Sequence, residues 1–515
     1  MTQNAQETQP LLPGAQHATT QQPKTNSRRI AIAALALVAI GFIAYNVLGN
    51  KSVKLEDEIT RPRLHAHLEA FSELAKKYNG SRSVTHGYRA SVDYVVSQLE
   101  KHTDYDVREQ EFVFPFFEKY ADGALEFSGS TQHKLVSGKD FEPLRNSGNG
   151  SVKASLVPVS SGCAAADFFN FKKGAVALIS REASELGTPE KCTYRNKLQN
   201  AVTAGAGGVL LYTTLPSAGP LLGGAPVEAK KLPIFGITHS VALYLLQRLS
   251  VDAEITVSLT SAVRFVALKT WNVIAETKAG RDDNVIVAGS HLDSVPAGAG
   301  INDDASGSSA TLEVALALHR SGLSKKVVNK VRFAWWSAEE LGLIGSTHYV
   351  DDLFKNDPEE LKRIALNLNN DMIASPNGAR FIYNGREAVD PKLRVPSGVI
   401  QSIFENYFDA KGLAHEPTEF DGRSDYGGFL KYGIPAGGLF TGAEVLKSEE
   451  QAKKFGGTPG VAFDPCYHLS CDTLKNVEGL GFDLFSDLAG SMGHIVQKLA
   501  FVKDLRGFLA GGKDI

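Results

Sequence analysis

The chain has 515 residues, 43% of them hydrophobic and 22% charged, with a formal net charge of -3. That length exceeds one ordinary core and predicts at least two globular domains. The near-balanced charge and a pI near 6.5 exclude nucleic acid as a main partner.

In chain order, residues 1–29 are rich in Gln, Thr, Asn and Pro and lack a hydrophobic period. They read as a disordered cytoplasmic tail. Residues 30–48 follow Arg28-Arg29 and carry no charge. Their length suits a helix that crosses a bilayer, and exceeds the usual apolar region of a cleaved signal. Lys24, Arg28 and Arg29 precede the span, whereas Lys51 and Lys54 are followed by Glu56, Asp57 and Glu58. The positive-inside rule therefore favours a cytoplasmic N-terminus and a type II signal anchor. Within the tail, Glu7-Thr8-Gln9-Pro10-Leu11-Leu12 fits an acidic dileucine signal read by sorting adaptors. Together these features predict a single-pass membrane protein whose body lies in the vacuole or lysosome lumen, with the cell surface or secretion as alternatives.

Residues 55–102 read as two amphipathic helices, the second with Val92, Val95, Val96 and Leu99 at helical spacing. Residues 104–114 alternate as a strand expected to end at Pro115. These segments open a first part of the main domain, 55–120. From 121 to 260 the texture changes to short β-rich runs such as Ala175-Val176-Ala177-Leu178-Ile179-Ser180 and Gly208-Val209-Leu210-Leu211-Tyr212. A helix-like run over 194–206 separates them. The region holds no cluster of metal-type ligands and reads as an inserted, non-catalytic module. From 261 to 505 strands alternate with expected helices at 306–320, 340–351, 399–411 and 480–501. That alternation predicts an α/β domain with a mostly parallel sheet flanked by helices.

The four cysteines allow three pairings. Closeness in sequence favours Cys163 with Cys192 and Cys466 with Cys471; four buried thiols are the alternative. Sequons at Asn79-Gly80-Ser81 and Asn149-Gly150-Ser151 suit a lumenal body. Asn50-Lys51-Ser52 lies against the expected membrane.

The chemistry is carried by acid and histidine clusters after strand-like runs. His291-Leu292-Asp293 follows Asn284-Val285-Ile286-Val287-Ala288-Gly289, and Asn302-Asp303-Asp304 comes soon after. Glu339-Glu340 follows the apolar run ending at Trp336, Asp371 follows Asn369-Asn370, and His468 lies in Cys466-Tyr467-His468-Leu469-Ser470-Cys471. Each piece has a plain structural reading: a loop pair, a helix cap, an acidic first turn, a turn residue. Taken together they supply two histidines and three carboxylates, a donor set that suits two zinc ions sharing one carboxylate. In parallel sheets, ligands bind beyond the carboxyl ends of the strands, where these clusters fall.

In this order of motifs the chain resembles the co-catalytic di-zinc aminopeptidases, in particular the aminopeptidase Y type, over roughly residues 60–505. The resemblance implies a zinc-peptidase fold and two Zn2+ per chain. It implies that His291 and Asp371 hold one zinc and Glu340 and His468 the other, with Asp303 bridging. Glu339 is then the general base, and Asp293 orients His291. Tyr467 stabilises the oxyanion, and Arg423, in Asp421-Gly422-Arg423-Ser424-Asp425-Tyr426, lies near the substrate. It also implies a cis peptide at Asp303–Asp304. Gly162-Cys163, Asp167-Phe168 and the run from Lys191-Cys192 to Tyr212 resemble a protease-associated domain, although the length between Ser180 and Lys191 departs from the common pattern.

The reading that follows is a membrane-anchored zinc aminopeptidase acting on peptides with a free N-terminus. A carboxypeptidase of the glutamate carboxypeptidase type shares the span, insert and metal site. A non-catalytic receptor like transferrin receptor predicts eroded ligand positions, and here all five ligands and the base are present.

Overall fold

The computed structural model describes residues 53–513, apart from 129–134, 183–191, 217–218, 227–228 and 252–253. The expected tail, membrane span, dileucine signal, Asn50 sequon and Lys191 lie outside the described residues. Among the described residues no helix is long and apolar enough to cross a membrane.

The chain begins with helices α1 (Arg61–Lys77) and α2 (Tyr88–His102) and strand β1 (Asp106–Lys119). Val92, Val95 and Leu99 of α2 are fully buried, as their spacing predicts. β1 does not stop at Pro115. It is an edge strand paired only with the strand 263–276, and Pro115 sits opposite Ala267. A proline lacks the N–H for a ladder, and an edge strand has one side where none is needed.

The chain then leaves for a second sheet built from β2 (Ala124–Phe127), β3 (Phe141–Pro143), β4 (Gly150–Pro158), β5 (Val176–Ser180), β6 (Gly208–Tyr212), β7 (Ile234–Ile237) and β8 (Thr256–Ser261). Their order is β2-β8-β4-β5-β6-β7-β3. Helices α3 (Tyr194–Thr203) and α4 (His239–Val251) belong to the same unit, so the insert holds more helix than its sequence texture suggests. Val241, Ala242 and Leu245 of α4 are buried against the sheet core, which fixes that amphipathic run as a helix. A disulfide joins Cys163 to Cys192 here.

The chain returns through β9 (Val263–Glu276), β10 (Arg281–His291), α5 (Ala305–Arg320), β11 (Asn329–Trp336), α6 (Ile344–Asn356), β12 (Ile364–Asn370), β13 (Phe381–Tyr383), α7 (Arg394–Ala410), β14 (Glu416–Thr418), β15 (Ala436–Phe440) and α8 (Leu480–Phe501). The main sheet has the order β1-β9-β11-β10-β12-β15-β13-β14. Its parallel pairs are the majority among the described residues, four of seven, and antiparallel pairs flank the parallel centre. Pairs β10–β11, β10–β12, β12–β15 and β13–β14 are parallel, whereas β1–β9, β9–β11 and β13–β15 are antiparallel. The parallel centre is the part covered on both faces, so β11 and β12 read as near-continuous buried runs. On one face α5 is buried from Ala305 to Leu318. It packs with α8 over Ile286, Ala288, Phe333 and Leu366 of the sheet. Trp336, Tyr349 and Phe429 cover the other face.

The expected helix at 340–351 is split. A short 3-10 turn, Glu339–Leu341, comes first, and α6 starts only at Ile344. Ala338 and Leu343 both have positive φ, near 56° and 57°. These two left-handed residues break the helical path and turn Glu339-Glu340 out of any first helical turn.

Candidate metal centre and substrate cleft

β10, β11, β12 and β15 run parallel through the middle of the sheet, so their carboxyl ends open on one side. His291 ends β10, Glu339 and Glu340 follow β11, and Asp371 follows β12. Asp303 lies just before α5, and the Asp303–Asp304 peptide is cis. Asp304 caps α5, its Oδ1 accepting the N–H of Gly307 at 2.8 Å and of Met372 at 3.1 Å. The start of α5 touches β12: a Cβ on Gly307 would lie 2.1 Å from Asn370 O, so only glycine permits this approach.

Two donor sets result, His291 with Asp303 and Asp371, and Asp303 with Glu340 and His468, their donor atoms lying within 4.8 Å of one another. His291 Nε2 is 3.1 Å from Asp303 Oδ1 and 3.4 Å from Asp371 Oδ1. His468 Nε2 is 3.1 Å from Asp303 Oδ2 and 3.0 Å from Glu340 Oε2. Asp303 thus gives one oxygen to each set. Imidazole and carboxylate donors in this arrangement fit zinc. The buried Glu340 Oε1, which has no hydrogen-bond partner, fits a cation site as well. Burial and the adjacent Asp303 push the Glu340 carboxyl up to about 7. Burial also raises Glu339 well above the carboxylate range, with Asp371 and Glu340 adding to it and His291 opposing. A cation is what such a concentration of buried carboxylates calls for.

Glu339 belongs to neither donor set; its Oε2 is 3.9 Å from His291 Nε2. Asp293 is buried, and its carboxylate differs from the expected orienting role in one respect. His291 Nδ1 lies 3.1 Å from the backbone carbonyl of Asp293, and the Asp293 Oδ1 is at 3.7 Å, beyond a hydrogen bond. That Oδ1 instead accepts the backbone N–H of Glu339 at 3.1 Å.

A disulfide closes Cys466 to Cys471 around Tyr467 and His468. His468 adopts a left-handed φ of 58°, and the Tyr467 and His468 rings lie 3.8 Å apart. Burial raises the Tyr467 hydroxyl, and Asp303 and Glu340 add to it, so it stays a proton donor. Arg423 is exposed and lies 3.2 Å from Glu444 Oε1.

Several supporting residues escaped the sequence reading. Asp472 accepts the N–H of Asn302 at 2.8 Å and of Asp303 at 3.0 Å. Ser424 donates to Asp371 Oδ2 at 2.6 Å and accepts from Asn369 at 2.8 Å. Arg82, fully buried, donates to the carbonyls of Leu292, Ala299 and Gly300, pinning the loop after His291. Asp472 adjoins Cys471, a hint visible in sequence; Arg82 lies some 200 residues from the loop it holds, and nothing local marks it.

Two cavities meet at the site. A shallow one of about 270 Å³ is lined by Asp303, Asp371, Glu339, Glu340, His468 and Tyr467. A larger one of about 490 Å³ shares Asp371, Met372, Arg423 and Tyr467 with it and runs to Phe381, Tyr383 and Phe440.

Paired metal-ligand sets sharing Asp303, with an unligated glutamate beside them in an open cleft, define a hydrolytic metal centre. Residues 272–491 match the model for peptidase family M28, and residues 152–245 match the PA domain. An aminopeptidase from Pseudomonas aeruginosa is 41% identical over 438 residues, covering 82% of this chain and 78% of that protein. Leucine aminopeptidase 2 of Trichophyton equinum is 38% identical over 434 residues, covering 84% and 81%. Among solved structures, an aminopeptidase from Aneurinibacillus sp. strain AM-1 aligns with a TM-score of 0.63 at 24% identity, covering 85% of this chain and 94% of that one. A zinc aminopeptidase from Bacillus subtilis aligns at 0.61 and 23%, covering 85% and 95%. These two likenesses bear on the fold. The chain belongs to peptidase family M28 and carries an inserted PA domain; it is a metallo-exopeptidase.

Proposed function

We propose that this protein is a membrane-anchored aminopeptidase that holds two zinc ions per chain and removes the N-terminal residue of peptides. The observation that carries the reading is Asp303, with Oδ1 turned to His291 and Oδ2 to His468. His291 and Asp371 would hold one ion, Glu340 and His468 the other, with Asp303 between them. Zinc bound there supplies Lewis acidity to the scissile carbonyl and acidifies water toward a pKa of about 7.

The chain's own groups do the rest. Glu339 takes the proton from the attacking water and returns it to the leaving amine. Asp293 fixes the Glu339 backbone, and so the height of its carboxylate. The Tyr467 hydroxyl donates to the oxygen that gains charge at the attacked carbonyl. The side chain of the N-terminal residue enters the larger cavity, where Phe381, Tyr383 and Phe440 stand among carboxylates such as Glu416 and Glu419, with Arg423 shared by both cavities.

A vacuolar or lysosomal lumen is supported by the charge-free segment 30–48, the Glu7 to Leu12 adaptor signal and two sequons whose asparagines, Asn79 and Asn149, are exposed. Two disulfides suit an oxidising compartment. Carbonate extraction and protease protection of the full chain test the anchor and its topology.

The decisive experiment compares aminoacyl and N-blocked peptides with and without chelator, alongside metal analysis. Chelator-sensitive turnover of free-amine substrates, restored by zinc, is expected. Cleavage of N-blocked peptides from the carboxyl end would overturn the aminopeptidase reading in favour of a carboxypeptidase.

A further inference from the structure

The inserted domain places one side chain in the catalytic cleft. Arg145 is held by its own domain: its N–H donates to Gly223 O at 2.9 Å and its carbonyl accepts from Ala225 N at 2.7 Å. Its guanidinium crosses to the peptidase domain, where Nη1 donates to Glu340 O at 2.6 Å. There it lines the shallow cavity together with Asp303, Glu339, Glu340 and His468.

The guanidinium has five N–H donors in a planar fork, and the contact to Glu340 O uses one of its nitrogens. Arg423 lines both cavities and Arg145 only the shallow one; on the reading above, the larger cavity takes the N-terminal side chain. The residues after the scissile bond then leave on the other side, along Gly342, Leu343 and Arg145. An extended residue spans about 3.5 Å. Arg145 is bonded to the backbone of the residue whose carboxylate touches His468, so it lies within a residue or two of the reacting carbonyl.

We infer that Arg145 is a specificity-determining residue which recognises the free C-terminal carboxylate of short peptides, making di- and tripeptides a favoured substrate class. The inference rests on the aminopeptidase reading above. A carboxylate matches the guanidinium fork in shape and charge, whereas an amide offers one neutral acceptor. The inserted domain then acts as one wall of the substrate site.

The test uses the full chain loaded with zinc, a free-acid tripeptide and the same tripeptide as its C-terminal amide. The readout is the ratio of kcat/KM for acid over amide. Wild type is expected to favour the acid by about tenfold, the scale of one charge-assisted hydrogen-bond pair. Arg145→Ala should bring the ratio close to one. Arg145→Lys, which keeps the charge but loses the fork, should fall between. A ratio near one in wild type, or a proportional loss on both substrates in Arg145→Ala, would reduce Arg145 to a domain contact and overturn the inference. A wild type inert on both peptides overturns the aminopeptidase reading, and this one with it.

Discussion

Asp293 Oδ1 accepts the backbone N–H of Glu339 at 3.1 Å. A residue two positions after a metal-ligand candidate therefore holds the candidate base from below, across 46 positions of sequence. Removing the carboxylate frees the Glu339 backbone and strips the field behind His291. Asp293→Ala is expected to lose about 10- to 100-fold in kcat or zinc affinity, as partners of metal ligands generally do. Steady-state kinetics with zinc titration checks this. An Asp293→Ala enzyme with wild-type kinetics and affinity would show that the Glu339 turn holds itself.

Glu339 stands outside both donor sets. Glu339→Gln should therefore keep its metal and lose turnover by about 10²- to 10⁴-fold, the range for a general base. Elemental analysis beside kcat separates the two effects. Loss of zinc in parallel with activity would instead make Glu339 a ligand.

Asp472 satisfies two buried N–H groups, those of Asn302 and Asp303. Asp472→Ala leaves both without acceptors, at about 1–3 kcal/mol each. Expected are a lower Tm and a weaker grip on zinc, since the Asp303 backbone is the one released. Thermal melts of the zinc-loaded and chelated forms check it; an unchanged difference between them would confine Asp472 to stability.

The Cys466–Cys471 disulfide closes a small loop holding both Tyr467 and His468. A double Cys466→Ser, Cys471→Ser variant should lower the zinc content, because one donor set depends on His468 while the other does not. Metal analysis after gel filtration reads this directly.

Lys447 is buried, donating from Nζ to Gly378 O at 2.7 Å and Gly456 O at 2.8 Å. Burial pushes its ammonium down to about 8, from an ordinary 10.5. Between these values the unfolded chain holds a proton that the folded one has released. Stability from this group therefore rises with pH from about 8 to about 10.5 and is flat below and above. Lys447→Met should lose that rise, and denaturant melts across the window, wild type against variant, measure it.

Much of the site was legible in sequence because its donors lie at strand ends and in short runs. His291, Glu340 and Asp371 each follow an apolar run, and strand period alone puts them beyond one edge of a sheet. Helix 480–501 was legible to the residue because its apolar face is continuous. The split at 339–343 was not. Nothing in Ala338 or Leu343 as residue types announces the left-handed backbone that both adopt. The same holds for β1, which runs through Pro115 because it lies at an edge, a fact of sheet order alone.

Sequence by itself determined the donor inventory: which residues can bind a cation, in what order, beside which strands. It also marked out the inserted domain and favoured the near pairings of the cysteines, which the folded chain then made. Only the tertiary structure decided that Asp303 faces both histidines, that Asp293 holds Glu339 through its backbone, and that Arg82 and Arg145 reach the site at all. The reason is physical. Donor chemistry is a property of a residue, and strand period a property of a few neighbours. The distance between groups hundreds of positions apart is set only when the sheet closes and its helices pack.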